Sequence, residues 1–294
     1  MPAPVPAPRL FDAALARVRL ARAHRQGPAD FLLARVAEDL AERVGVVKRA
    51  FVRAVDLASP GPHVARATGA LLPPGALVQI APVPAALEGA GAVADPQALP
   101  LASASADLIV SALALQTVDD LPGALVQIRR ALQPDGLFVA CLAGGQTLQE
   151  LRTAFAAAEE EISGGASPRV APFADLRDVG ALLQRAGFAL PVTDAESLTV
   201  RYDSMFALMR DLRAMGAANA LVARSRKFLR RDVLLRAAAI YAERFSDTDG
   251  RVRATFELVW LSGWAPHESQ AKPLQPGSAK MRLADALGVA EFKA

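Results

Sequence analysis

The sequence predicts a doubly wound α/β fold built on a mostly parallel sheet. Three observations carry this. Short runs that are apolar on both faces recur, each followed by a stretch with helical spacing; the first of these strands ends in a carboxylate and turns through proline and glycine; and after Thr147 helices dominate, with only two more strand-like runs. A chain of 294 residues, 52% hydrophobic and 21% charged, can bury one large core, which excludes a disordered protein.

The elements follow in order. Met1 to Pro8 alternates proline with small residues and reads as a frayed tail, without the basic start or apolar run of a secretory signal. A basic helix carrying Arg17, Arg19, Arg22 and Arg25 comes next. Asp30 stands as an N-cap before the amphipathic pattern Phe31, Leu32, Val36, Leu40. Ala50 to Leu57 is the first strand, 58–62 a turn, and His63 to Leu72 a short helix. Further strands fall at Leu77 to Ile80, Val93 to Asp95, Asp107 to Leu113 and Gly136 to Leu142. Asp119 and Asp120 offer caps to a helix with Pro122 in its first turn and Leu121, Leu125, Ile128 and Leu132 on one side. Helices cover Thr147 to Glu161, Asp175 to Ala186, Ser204 to Met215 and Arg231 to Phe245. Leu198 to Tyr202 and Ala254 to Leu261 supply an antiparallel edge, with Trp260 and Trp264 packing the last strand.

Composition narrows the chemistry. Cys141 is the only cysteine, which excludes an internal disulfide and a multi-thiolate metal site and points to a reducing, cytoplasmic location. His24, His63 and His267 are too far apart for a local metal motif, so no metal is expected. Ala67 to Leu87 is uncharged but holds Pro73, Pro74, Pro82 and Pro84, so it is no membrane span. Net charge is +3, with a second basic group at Arg224, Arg226, Lys227, Arg230 and Arg231. Such groups are solvated helix faces or docking surfaces for an acidic protein or a phosphate. Neither is interleaved with stacking aromatics, which argues against nucleic acid.

Ligands of a doubly wound sheet sit outside the carboxyl ends of its strands, so the turn after Asp56 is the place to look. That turn, the stretch Ala94-Asp95-Pro96-Gln97-Ala98-Leu99-Pro100-Leu101 and the run from Asp107 to Gly136 resemble the successive motifs of class I S-adenosylmethionine-dependent methyltransferases. Leu113 to Pro122, Gly144-Gly145-Gln146-Thr147-Leu148, Gly164 to Pro168, Met205 to Leu212 and His267-Glu268-Ser269-Gln270 narrow the resemblance to the branch containing mitochondrial complex I assembly factor five. The resemblance implies a Rossmann-like, seven-stranded methyltransferase sheet. It divides the chain into a tail and basic helix over 1–29, a cofactor-binding core over 30–146, and a helical lobe with sheet-completing strands over 147–294. It also implies a protein partner, a respiratory complex I subunit, which the mitochondrial member hydroxylates at an arginine.

On that resemblance Asp56, Gly61, Ala81, Asp95 and Gln116 occupy the cofactor-binding positions, and no residue is assigned as catalytic. The family's glycine positions hold Ala58, Pro60 and Pro62; proline lacks an amide donor and fixes φ. Ala81 stands where an acidic residue would hold the ribose hydroxyls, and Gln116-Thr117 where a His-Trp pair is usual. S-adenosylmethionine is therefore expected to bind weakly or not at all. Asp56 and Asp95 have a second reading, as turn caps. His63 is a general-base candidate or a plain surface histidine, and His267, Glu268 and Ser269 are structural or partner-facing. The functions in play are a methyltransferase-family protein acting on a partner in complex I assembly, an inactive scaffold of the same fold, and a carrier-protein or small-molecule methyltransferase.

Overall fold

The computed structural model describes residues 9–270. Seven strands form one sheet in the order β3-β2-β1-β4-β5-β7-β6. They are β1 (Ala54–Leu57), β2 (Leu77–Ala81), β3 (Gly91–Val93), β4 (Ala106–Ala112), β5 (Leu132–Ala143), β6 (Ala189–Tyr202) and β7 (Val252–Trp264). The first five run parallel, while β7 is antiparallel to both β5 and β6. The strand order reverses between β1 and β4, which opens a crevice above their carboxyl ends.

Eight helices flank the sheet among the described residues: α1 (Ala13–Gln26), α2 (Phe31–Gly45), α3 (His63–Gly69), α4 (Leu121–Ala131), α5 (Gln149–Ser163), α6 (Leu176–Arg185), α7 (Met205–Ala214) and α8 (Arg231–Phe245). Strand periodicity sorts their cores. In β4, Leu108 and Val110 pack with Val36 of α2, Phe155 of α5 and Tyr241 of α8; Ile109 packs on the other face with Leu125 of α4 and Leu183 of α6. Both faces are covered, which is why the central strands read as unbroken apolar runs. Cys141 belongs to the first of these cores, and burial pushes its thiol pKa far up, so it is an inert packing residue. Trp260 is buried and Trp264 half-buried at the end of β7.

Several boundaries differ from the sequence reading for identifiable reasons. β1 starts at Ala54 because the Asp107 carboxylate takes the amides of Val52 (2.9 Å) and Arg53 (3.0 Å). Asp30 precedes α2 but makes no capping bond. Its Oδ2 accepts instead from His63 Nε2 at 2.9 Å. Of the two candidates before α4, Asp120 caps Gly123 N at 2.8 Å, while Asp119 Oδ1 accepts from the amides of Leu10 (2.9 Å) and Phe11 (2.8 Å). That bond helps seat α1 across the top of the sheet. Phe11 forms a bridge with Leu221, and Asp12 N donates to Ala220 O at 2.8 Å. Gly216 (φ 74°) lets α1 come close: a Cβ there would lie 2.9 Å from Leu20 Cα.

Candidate functional site

Above β1 and β4, beneath α1, lies a cavity of about 710 Å³. Its floor is the turn 58–62, its sides the segments 95–97 and 113–118, and its far wall the stretch 169–173 and the segment after α7. The turn is held tightly. Ala58 has φ 59°, the left-handed region that glycine occupies without strain, and spends its amide on Ile80 O at 2.6 Å. Ser59 Oγ accepts from Ala112 N at 3.1 Å, tying the turn to β4. Pro60 and Pro62 have no amide, so Ser59 and Gly61 are the donors left for a ligand. From α1, His24 Nε2 donates to Pro60 O at 2.7 Å. His24 and His63, far apart in sequence, thus flank Gly61, each with a ring carbon 3.9 Å from where its Cβ would stand.

The five cofactor-position residues divide. Gly61, Asp95 and Gln116 line the cavity; Asp56 and Ala81 do not. Asp56 is buried between strands, where its Oδ2 accepts from Gln79 Nε2 at 3.4 Å and its Oδ1 has no partner. Burial raises its pKa from 3.8 to about 7, against the opposing pull of Ser59 and Gln79. Ala81 sits in a small apolar cluster with Val83 and Ala86, covered by Leu20 and Ala21 of α1. Asp95 is engaged twice: Oδ1 accepts from Gln97 N at 2.9 Å, the turn-cap role, and Oδ2 from Arg17 of α1 at 3.3 Å. Gln116 Nε2 donates to Leu113 O at 2.7 Å, which leaves its buried Oε1 unpartnered.

The glycine motif after β5 is a stitch to β7. Gly144 N donates to Glu257 O (2.9 Å), Gln146 N to Glu257 Oε2 (2.9 Å) and Leu148 N to Thr255 O (2.7 Å). A side chain at Gly144 would collide with Glu257 and with Val259 Cγ2, 2.6 Å from the added Cβ. Glu159, 5% exposed, plays a similar part for the far wall. It accepts from Ser167 N at 2.6 Å and from Arg169 Nε at 2.9 Å. Burial works to raise its pKa, but the Ser167 and Arg169 bonds outweigh it and hold the carboxyl below its ordinary value. The His267 turn lies elsewhere. His267 Nδ1 meets Ser269 Oγ at 2.7 Å, and Gln270 Nε2 donates to Asp135 Oδ1 at 3.0 Å, near the start of β5 and the opposite end of the sheet from the cavity. Among the described residues no cluster of three His, Cys, Asp or Glu side chains is arranged to hold a metal ion.

Comparison with known proteins places the chain among methyltransferase-like sequences. Residues 34–140 match a methyltransferase domain model. The chain is 46% identical over 189 residues to the Dictyostelium discoideum protein named arginine-hydroxylase NDUFAF5, mitochondrial, covering 64% of this chain and 43% of that one. It is 44% identical over 193 residues to the Homo sapiens protein of the same name, covering 66% and 56%. Residues 34–140 form a methyltransferase domain, and the chain resembles the NDUFAF5 branch of the class I S-adenosylmethionine-dependent methyltransferases. It also resembles malonyl-[acyl-carrier protein] O-methyltransferase of Laribacter hongkongensis, 41% identical over 184 residues, covering 63% of this chain and 59% of that one. The match spans about half the length of the NDUFAF5 relatives. The fold is shared with the YcgJ protein of Bacillus subtilis: TM-score 0.53, 14% identity, covering 79% of this chain and 98% of that one. One expectation is corrected. The cytoplasmic location drawn from the lone cysteine and the missing secretory signal is contradicted by NDUFAF5 relatives that are named mitochondrial. Neither feature separates the cytoplasm from another reducing compartment.

Proposed function

We propose that this chain is a methyltransferase-family protein that acts on a protein partner in respiratory complex I assembly and binds S-adenosylmethionine weakly. One observation carries the reading. The crevice above β1 and β4 is roomy, yet the turn beneath it offers two amides where a glycine loop would offer more, and Arg17 and His24 of α1 bond Asp95 and Pro60 O. When bound, S-adenosylmethionine would supply an electrophilic methyl group. Ser59 and Gly61 would meet its methionine end through their amides. Asp95 would take the adenine amino group once Arg17 lets go, and Gln116 Oε1 would accept a donor within the cavity. Losing the ribose carboxylate at Ala81 costs such a complex on the order of a few kcal/mol. The chain's similarity to NDUFAF5 proteins favours a protein partner, and arginine is the acceptor that their name suggests. The test is methyl or oxygen incorporation, followed by mass spectrometry, into complex I subunits and into a malonylated carrier protein. Modification of a complex I subunit alone supports the reading, and modification of the carrier protein alone replaces it.

A second reading is favoured by the same contacts. With Arg17 on Asp95 and His24 on Pro60 O, the polar groups of the crevice bond to α1 of the same chain, as an inactive scaffold would have them. Ordinary assembly of complex I by a chain whose Asp95 and Gln116 have been replaced would establish that role.

A further inference from the structure

The two basic groups of the sequence meet in space. Arg224 bonds Asp12 at the start of α1 (3.1 Å), and Arg19 of α1 donates to Asn219 O. Burial lowers the Arg19 pKa, and the nearby charges of Arg224 and Arg22 add to the effect. From Leu212 to Arg231 the chain carries six Lys and Arg and no Asp or Glu. Two of the six are paired, Arg224 with Asp12 and Arg230 with Asp232. Arg226, Lys227 and Arg231 are exposed and make no ion pair among the described residues. In their midst stands Phe228, at 102% the most exposed large hydrophobic side chain described, with Val222 (42%) and Leu235 (51%) also open to solvent.

A bare aromatic ring flanked in sequence by unpaired cations is costly in water. Nothing among the described residues packs on it. We propose that the segment 222–231, with Phe228 at its tip, docks on an anionic phospholipid surface, the ring entering the headgroup layer while Arg226, Lys227 and Arg231 meet lipid phosphates. Charge complementarity selects this occupant over an acidic protein: three exposed cations without ion pairs lie within three residues of a fully exposed ring, a pairing of basic and aromatic side chains that suits an anionic headgroup layer. Arg213, the residues 214–220 and Leu229 of the same stretch line the cavity, so a docked molecule would hold the cavity beside the membrane. No helix among the described residues is long and apolar enough to cross a membrane, so attachment here is peripheral.

The experiment is co-sedimentation of the full chain with vesicles of mixed phosphatidylglycerol and phosphatidylcholine, and with phosphatidylcholine alone. Binding should require the anionic lipid and fall steeply with salt. Arg226→Ala and Lys227→Ala should each weaken it about fivefold, and Phe228→Ser more than about tenfold, with thermal melting unchanged because these side chains touch little. The Phe228→Trp variant should shift its emission to the blue on anionic vesicles. Equal binding to both vesicle types, indifference to Phe228→Ser, or emission of the Phe228→Trp variant that shifts with soluble poly-glutamate but not with vesicles would overturn the proposal; the last would assign the patch to an acidic protein. These readouts need no S-adenosylmethionine, so they stand apart from the methyltransferase reading.

Discussion

Asp56 gives a sharp test of how this sheet treats its first-strand carboxylate. The side chain is 2% exposed, with one long bond from Gln79 and an oxygen left bare. Burial lifts its pKa from 3.8 to about 7. At about 1.4 kcal/mol per tenfold change in proton affinity, keeping it ionised in the folded state costs on the order of 4 kcal/mol. The sign follows from linkage. Between these two pKa values the folded protein holds a proton that the unfolded chain has lost, so stability falls as pH rises from 3.8 to about 7 and levels off above. Asp56→Asn keeps an acceptor for Gln79 and removes the charge. It should flatten this part of the stability–pH curve and make the protein more stable than wild type at alkaline pH, by up to about 4 kcal/mol less the adjustment around the new amide. Urea unfolding followed by circular dichroism at closely spaced pH values measures it. Parallel curves for wild type and variant from pH 3.8 to 7 would refute a buried, proton-holding Asp56.

Other substitutions probe the site's frame. Ala58→Gly should stabilise by up to about 1 kcal/mol in urea unfolding, since relief of the left-handed strain exceeds glycine's added chain entropy. Gly144→Ala should destabilise by about 1–3 kcal/mol, because the new methyl meets Glu257 and Val259 where β5 is stitched to β7. Arg17→Ala breaks a half-exposed ion pair and should leave urea stability within about 1 kcal/mol. It should also speed hydrogen exchange in α1 and tighten S-adenosylmethionine binding measured by calorimetry. Ala81→Asp alone should not restore a ribose contact; it places a carboxylate under Leu20 and should lower the melting temperature.

The sheet was legible wherever a strand is buried on both faces, because Leu108, Ile109 and Val110, or Phe138, Val139 and Ala140, leave no other reading. The first half of β6 was not. Leu190 lies at φ 49°, Pro191 follows, and Asp194 and Glu196 look like loop residues. Their charges are satisfied only in three dimensions, by Arg43 and Arg35 of α2 at 2.8 and 2.7 Å. Of the five positions that the resemblance suggested for a cofactor, Gly61, Asp95 and Gln116 line the cavity and Asp56 and Ala81 do not. What no local pattern revealed is the course of α1. Its basic residues read as a solvated face, yet Arg17 and His24 reach the site from far along the chain, and the bonds that seat the helix involve Asp119 and the residues after α7. The departures in the turn were visible at once, because proline's missing amide is a property of the residue itself.

Calorimetric titration of the purified chain with S-adenosylmethionine bears most directly on the claim that this turn grips an adenosyl ligand poorly. A dissociation constant of roughly 1 mM, about −4 kcal/mol, is expected, tightening when glycines replace Ala58, Pro60 and Pro62 together. A wild-type constant in the low micromolar range, unimproved by the glycines, would contradict it.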